Sequence, residues 1–307
     1  MTSPNLSPTV AAVIPTILKR PAELQRAIVS VLAQTYPVLE IVVVVDDPDA
    51  PLPCFDEPQV RVVRNTGRRG PAAARNTGIR AATADLIGLL DDDDHWLPHK
   101  VAAQVDRYVH GRQEAVVMAR AWAQGPTSSW LVPDAPHDPV RPFVDYLFND
   151  PGFARAEDHT IPTSTIFTSR ALLTDEPFVE SLPQWEDYEW LLRVTDLGHA
   201  VRWVGEPLAI MDQTRATGLS QSQRADPDDD LRWADTYLAD RSLRAWHNHR
   251  LTYAAPGLAR RGRRRETASL IRDAVGARQS PALIAKAVMT TTIPPRWSAA
   301  LRQLLRR

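Results

Sequence analysis

The chain has 307 residues, 44% of them hydrophobic and 24% charged, enough apolar material to bury one large domain with an appendage. Its single cysteine, Cys54, excludes an internal disulfide and a cysteine-built metal site, and points to a reducing, cytoplasmic setting. The net charge of −1 hides a split: residues 241–307 carry fifteen Lys and Arg against Glu266 and Asp273, a net +13, which leaves −14 on the first 240.

Residues 1–8 have neither the positive charge nor the apolar segment of a secretory leader, and no stretch approaches the ~20 apolar residues that span a bilayer. Residues 10–14 predict a strand. Residues 21–34 then set Leu24, Ala27, Ile28, Val31 and Leu32 on one helical face, with Pro21 suited to the first turn. Residues 41–45 are all β-branched and predict a strand buried on both faces. A short strand at 60–63, an Ala-rich helix at 71–82, a strand at 86–90, a helix at 98–109 and a strand at 115–119 follow. Continuous apolar strands alternating with helices predict an α/β fold with a doubly wound, mostly parallel sheet.

Beyond residue 121 the pattern loosens, and 122–160 is rich in Pro, Asp and Trp without clean periodicity. Residues 166–173 and 201–210 regain apolar character around a helix at 186–196. Residues 214–230 are polar and predict a loop. The remainder predicts three or four short helices, broken at Pro256-Gly257, Gly262, Pro281 and Pro294-Pro295.

Chemistry concentrates at Asp91, Asp92, Asp93 and Asp94, which follow the apolar run 86–90 directly. Neighbouring carboxylates at ~5 Å repel by roughly 3 kcal/mol per pair at an effective dielectric of ~20. A divalent cation would remove that repulsion, and oxygen-only donors suit magnesium or manganese rather than zinc. The plain alternative is a solvated acidic turn. In doubly wound sheets, however, ligands bind at the carboxyl ends of the strands, and Asp46 and Asp47 end the strand at 41–45. Two acidic clusters remote in sequence are thus expected on one rim.

Together, Ile14-Pro15-Thr16, the segment Ser30-Val31-Leu32-Ala33-Gln34-Thr35-Tyr36-Pro37, the strand into Asp46-Asp47, Arg69-Gly70-Pro71-Ala72-Ala73-Ala74-Arg75-Asn76 and Leu89-Leu90-Asp91-Asp92-Asp93-Asp94-His95-Trp96 resemble the family 2 glycosyltransferases of GT-A fold. The likeness is dense over 10–110 and resumes at Trp185-Glu186-Asp187-Tyr188-Glu189. It implies a catalytic domain over 1–220, with a nucleotide-binding half to about 120 and an acceptor half beyond it, followed by a basic helical extension over 221–307. It also implies an inverting, non-processive transfer from a nucleoside-diphosphate sugar to an acceptor hydroxyl, with Mn2+ or Mg2+ as cofactor. Pro15 and Thr16 would pass under the nucleotide, Asp47 would bond the base, and Arg75 would face the base or the phosphates. Asp91 and Asp93 would serve the metal, with Asp91 and Asp92 on the nucleotide side and Asp92 near the ribose. Asp187 would be the general base, and Asp94 would support the turn.

The reaction needs such residues in any case: a cation neutralises the leaving diphosphate, and a carboxylate must take the proton of a weakly nucleophilic hydroxyl. At Asp187 the helix dipole lowers the pKa, whereas burial and the neighbours Glu186 and Glu189 raise it; its plain alternative is a helix-start acid. The chain departs from the family at Ile17-Leu18, where Tyr-Asn is common, and at Pro48-Asp49, where Gly-Ser is usual. A third metal ligand is unassigned, with Asp212 and Gln213 as candidates.

His95 and His99 fit surface helix-start positions better than metal ligation. Trp190 and Trp203 fit core packing, and Trp185 is open between packing and acceptor contact. The basic tail reads either as solvated helices or as a peripheral face for anionic lipid, with Ala282-Leu283-Ile284 to Met289 and Trp297, Leu301, Leu304 and Leu305 as apolar partners; no nucleic-acid module is present. A nucleotidyltransferase would carry a glycine-rich loop after the first strand, which 15–18 lacks. A degenerate nucleotide-sugar binder would lack a carboxylate at 93 or 187, and both are present.

Overall fold

The computed structural model describes residues 7–111, 113–149, 161–214 and 226–292. By contacts the chain divides into one unit of Met1–Pro136 with Ile161–Ala216 and another of His137–Thr160 with Thr217–Arg307. Residues 1–6, most of the polar stretch 214–230, and the tail residues Pro294-Pro295, Trp297, Leu301, Leu304 and Leu305 lie outside the described residues.

The first unit is built on a nine-stranded sheet. Strands β1 (Val10–Thr16), β2 (Glu40–Val45), β3 (Val60–Arg64) and β4 (Leu86–Leu89) form its parallel half, in the order β3-β2-β1-β4. Two of the parallel crossovers contain a helix, α1 (Pro21–Leu32) after β1 and α2 (Pro71–Ala81) after β3, whereas the connection from β2 to β3 contains none. Both faces are covered. Val10, Ala12 and Ile14 share a core with Leu24, Ile28 and Val31 of α1 and with Val101 and Val105 of α3 (Lys100–Val109). On the opposite face α2 packs so close that a Cβ added at Gly78 would lie 2.4 Å from Val13 and 2.8 Å from Val44.

The other half is mixed. A two-residue strand, β5 (His95–Trp96), pairs antiparallel with β9 (Ala200–Asp212), and β6 (Ala115–Gln124) runs parallel to β9. β7 (Ser129–Val132) returns on β6 as a hairpin, and β8 (Phe167–Ser169) lies antiparallel between β4 and β6. The expected strand at 115–119 therefore runs on to Gln124, and part of the stretch that looked irregular in sequence is hairpin. Helices α5 (Arg170–Asp175) and α6 (Glu186–Asp196) complete the unit.

The second unit is helical where described: α4 (Phe143–Leu147), α7 (Pro227–Tyr237), α8 (Leu243–His249), α9 (Ala255–Arg260), α10 (Arg264–Gly276) and α11 (Pro281–Thr292). Asp228 to Asp230 thus form the first turn of α7 rather than a loop, with Asp226 accepting the Asp228 N–H as cap. Pro256-Gly257 does not break the helix. A π turn, Arg250–Ala254, joins α8 to α9 without interruption immediately before Pro256, a local bulge of the kind found inside α-helices. Leu251, Ala255, Leu258, Leu270, Ala274, Leu283 and Ala287 form the core. Among the described residues no helix is long and apolar enough to cross a membrane.

Candidate active site

β1, β2 and β4 are mutually parallel, so their carboxyl ends share one edge of the sheet. At the end of β1 the buried Thr16 hydroxyl donates to Asp92 Oδ2 at 2.6 Å and accepts the Leu18 N–H at 3.0 Å. These bonds hold a turn in which Leu18 has φ 57°, a left-handed conformation that costs a non-glycine residue roughly 1–2 kcal/mol. The turn delivers Arg20, which caps α1, to the acidic cluster. Its Nη2 lies 2.8 Å from Asp92 Oδ1, and its Nη1 contacts Asp93 Oδ2.

Arg75, on α2, is 4% exposed. Its guanidinium bridges two carboxylates, Asp91 Oδ1 at 2.8 Å and Glu186 Oε1 at 2.6 Å. Their charge raises its pKa despite burial, and its Nε finds no partner among the described residues. Asp94 is buried and accepts from Ser164 Oγ at 2.6 Å and from the Asp212 N–H at 3.2 Å. Ser164 Oγ also accepts the Asp91 N–H at 3.1 Å, so one hydroxyl fastens both ends of the acidic turn.

Asp187 stands in the first turn of α6 and keeps part of its surface open to solvent. Thr163 Oγ1 donates to its Oδ2 at 2.6 Å and the Tyr188 N–H to its Oδ1 at 2.9 Å. Burial pushes its pKa up to about 6. Glu186 adds to the rise, while Arg75 and the two donors oppose it. Burial therefore outweighs Arg75 and the two hydrogen bonds. Asp93 is also raised to about 6, by burial and by Asp91 against Arg20. Asp94 is pushed well above the carboxylate range by burial and by Asp93.

The remaining expected residues lie nearby in the same unit. Pro15 pairs with Val44 in the sheet. Asp47 follows β2, accepts the Asp49 N–H at 3.1 Å, and lies 3.9 Å from Arg69. Arg64 fixes that loop by donating to the carbonyls of Asp47, Pro48 and Ala50. Asp46 is buried against Asn65 and the Gly70 N–H and acts as a brace. Asp212, one candidate third ligand, is bonded to Thr214 and lies 3.3 Å from Arg26. His99 caps α3, but His95 sits in β5 opposite Ile210, not at a helix start. Trp185 packs edge-on against Tyr188 at 5.2 Å, and Trp190 is fully buried.

Arg20, Thr163, Ser164 and the Glu186 partnership were not foreseen. The hydroxyl run Thr163-Ser164-Thr165 ahead of apolar Ile166 was the one signal available. Arg20 lies 73 residues from Asp93 and offered none.

Residues 11–173, more than half of the chain, match Glycosyl transferase family 2, and the chain belongs to that family. It is 36% identical over 100 residues to the succinoglycan biosynthesis protein ExoW of Rhizobium meliloti (strain 1021), covering 29% of this chain and 30% of that protein. It is 34% identical over 83 residues to WfgD of Escherichia coli, a UDP-Glc:alpha-D-GlcNAc-diphosphoundecaprenol beta-1,3-glucosyltransferase, covering 26% of this chain and 33% of that one. Among solved structures it is similar to S. aureus TarS 1-349 in complex with UDP, with a TM-score of 0.49 and 16% identity, covering 82% of this chain and 71% of that chain. The matches thus span about a third of the length of these two curated relatives.

Proposed function

We propose that this protein is a metal-dependent, inverting, non-processive glycosyltransferase that moves a sugar from a nucleoside-diphosphate sugar to an acceptor hydroxyl. The observation that carries the reading is the Asp91–Arg75–Glu186 bridge, which sets the acidic turn after β4 beside the helix start bearing Asp187. A displacement needs its leaving-group side and its base side adjacent, and the contact of these two elements through Arg75 supports that reading.

In this reading Asp91 and Asp93 hold Mg2+ or Mn2+, Asp92 meets the ribose, and Pro15, Thr16 and Asp47 serve the nucleoside. Arg75 holds the two halves together. The donors suit a hard cation, being carboxylate oxygens only. Among the described residues no group of three or more His, Cys, Asp or Glu side chains is placed to hold a metal ion; in this reading Asp91 and Asp93 would supply two carboxylates, and phosphate oxygens and water would complete the shell. When bound, such an ion neutralises charge on the leaving diphosphate. Asp187 takes the acceptor's proton as the hydroxyl oxygen bonds to the anomeric carbon and the bond from that carbon to the diphosphate oxygen breaks. Attack opposite the leaving group inverts the carbon. A carboxylate at about 6 is ionised at neutral pH yet more basic than an ordinary one, as a general base requires. WfgD's name supplies the first substrates to try, a UDP-sugar donor and a lipid-linked saccharide acceptor. The basic segment 241–307 supports peripheral contact with anionic lipid on the cytoplasmic side.

Asp187→Asn is expected to retain binding of uridine diphosphate and to lose at least ~10²-fold in kcat. Preserved kcat with a raised donor KM would make Asp187 a binding residue instead. Excess chelator should abolish transfer, and manganese or magnesium should restore it; full activity in chelator removes the metal assignment.

A further inference from the structure

Resting on the metal-dependent reading above, we infer that Arg20 is a resident counter-ion of Asp92 and Asp93 that competes with the divalent cation, so that the cation binds tightly only together with a diphosphate. Two guanidiniums touch the acidic turn, and they are not equivalent. Arg75 has a side chain 5% exposed and is bonded to carboxylates on two separate elements. Removing it would leave Glu186 buried without its counter-charge. Arg20 is 19% exposed, and both of its carboxylate partners belong to the cluster itself.

The partners can release it. Asp92 keeps the Thr16 hydroxyl on its other oxygen, 2.6 Å away. Asp93, at 22% exposed, is the more open of the two, and it is the one assigned to the cation. A cation on Asp93 and a guanidinium on the same carboxylate repel each other, so one must give way. An aquo cation that displaces Arg20 offers the guanidinium no new partner. A cation arriving with a diphosphate brings anionic oxygens, which guanidinium bonds well. Arg20 can make that exchange without refolding, because the turn beneath it is fixed independently through Thr16 and Leu18.

Titration calorimetry of the full chain tests this with manganese chloride and uridine diphosphate as probes. In the unaltered protein the nucleotide should tighten manganese binding by about thirtyfold, within the usual range of coupling between sites. In Arg20→Gln, manganese alone should bind about tenfold more tightly, and the tightening by nucleotide should shrink below about threefold. Arg20→Lys keeps the charge and should stay near the unaltered protein. Absence of coupling in the unaltered protein overturns the inference without any variant. So does an Arg20→Gln protein that matches the unaltered one in both constants while manganese and nucleotide still bind; the metal reading then survives. If manganese binds neither protein even with nucleotide, both the reading and the inference fall.

Discussion

The Thr163 hydroxyl and the Tyr188 N–H both favour the charged form of Asp187 against the burial that raises its pKa. The sign of a change at Thr163 follows. Thr163→Val removes a donor to the carboxylate, so the pKa climbs further above the ordinary range and Asp187 is protonated at higher pH. On the general-base reading proposed above, kcat of the unaltered protein should fall as pH drops through about 6. In Thr163→Val that acidic limb should move to higher pH with the plateau largely kept, and Thr163→Ser should move it back. An unmoved limb beneath a lowered plateau would assign Thr163 to packing alone. At the same scale, both oxygens of Asp94 are occupied, one by the Ser164 hydroxyl and one by the Asp212 N–H.

At the scale of elements, the contact between α2 and the sheet admits no side chain at Gly78. Val13 and Val44 are fully buried strand residues with no room to retreat. Gly78→Ala should therefore destabilise by about 1–3 kcal/mol, as overpacked cores do, outweighing the ~1 kcal/mol gain in helix propensity. A lower urea midpoint with unchanged slope is the expected result, and an unchanged midpoint would show that α2 can shift. Most elements of the parallel half were legible because local pattern specifies them: unbroken apolar runs for β1, β2 and β4, and a spacing of three and four for α1. β5 and β7 were not. A two-residue strand has no period, and β7 carries Trp130 and Leu131 on opposite faces. The site divides the same way. Asp91 to Asp94 announce themselves as a run of like charge at a strand end, whereas Arg20 and Thr163 reach their partners only through the fold.

For the molecule as a whole, part of the positive charge of residues 241–307 is paired within the chain. Arg261 pairs with Asp226 at 2.8 Å, and Arg263 with Asp228 at 2.7 Å and Glu266 at 2.5 Å, so the acidic stretch before the tail is its internal counter-charge. Arg264, Arg265, Arg272 and Arg278 are exposed. If the tail docks on anionic lipid, the protein should sediment with anionic vesicles and come off as salt shortens the screening length from ~10 Å at 0.1 M to ~3 Å at 1 M. Replacing those four arginines by glutamine should abolish the binding. Deleting α10 and α11 is the poorer test, because Leu270, Ala274, Leu283 and Ala287 belong to the core of the second unit. A protein that ignores anionic vesicles at low salt would favour a soluble acceptor.

Lys100 adds a practical consequence. The chain has three lysines, Lys19, Lys100 and Lys286, and Lys100 is fully enclosed. Its Nζ lies 3.9 Å from the Trp96 ring and 2.6 Å from Gln104 Oε1. An amine-reactive label meets Lys19, exposed and adjacent to Arg20, and the partly exposed Lys286, but reaches Lys100 only when the sheet and α3 come apart. The chain thus carries its own chemical reporter: acylation at residue 100 counts molecules whose core has opened, while acylation at residue 19 samples the rim of the site in those that remain closed.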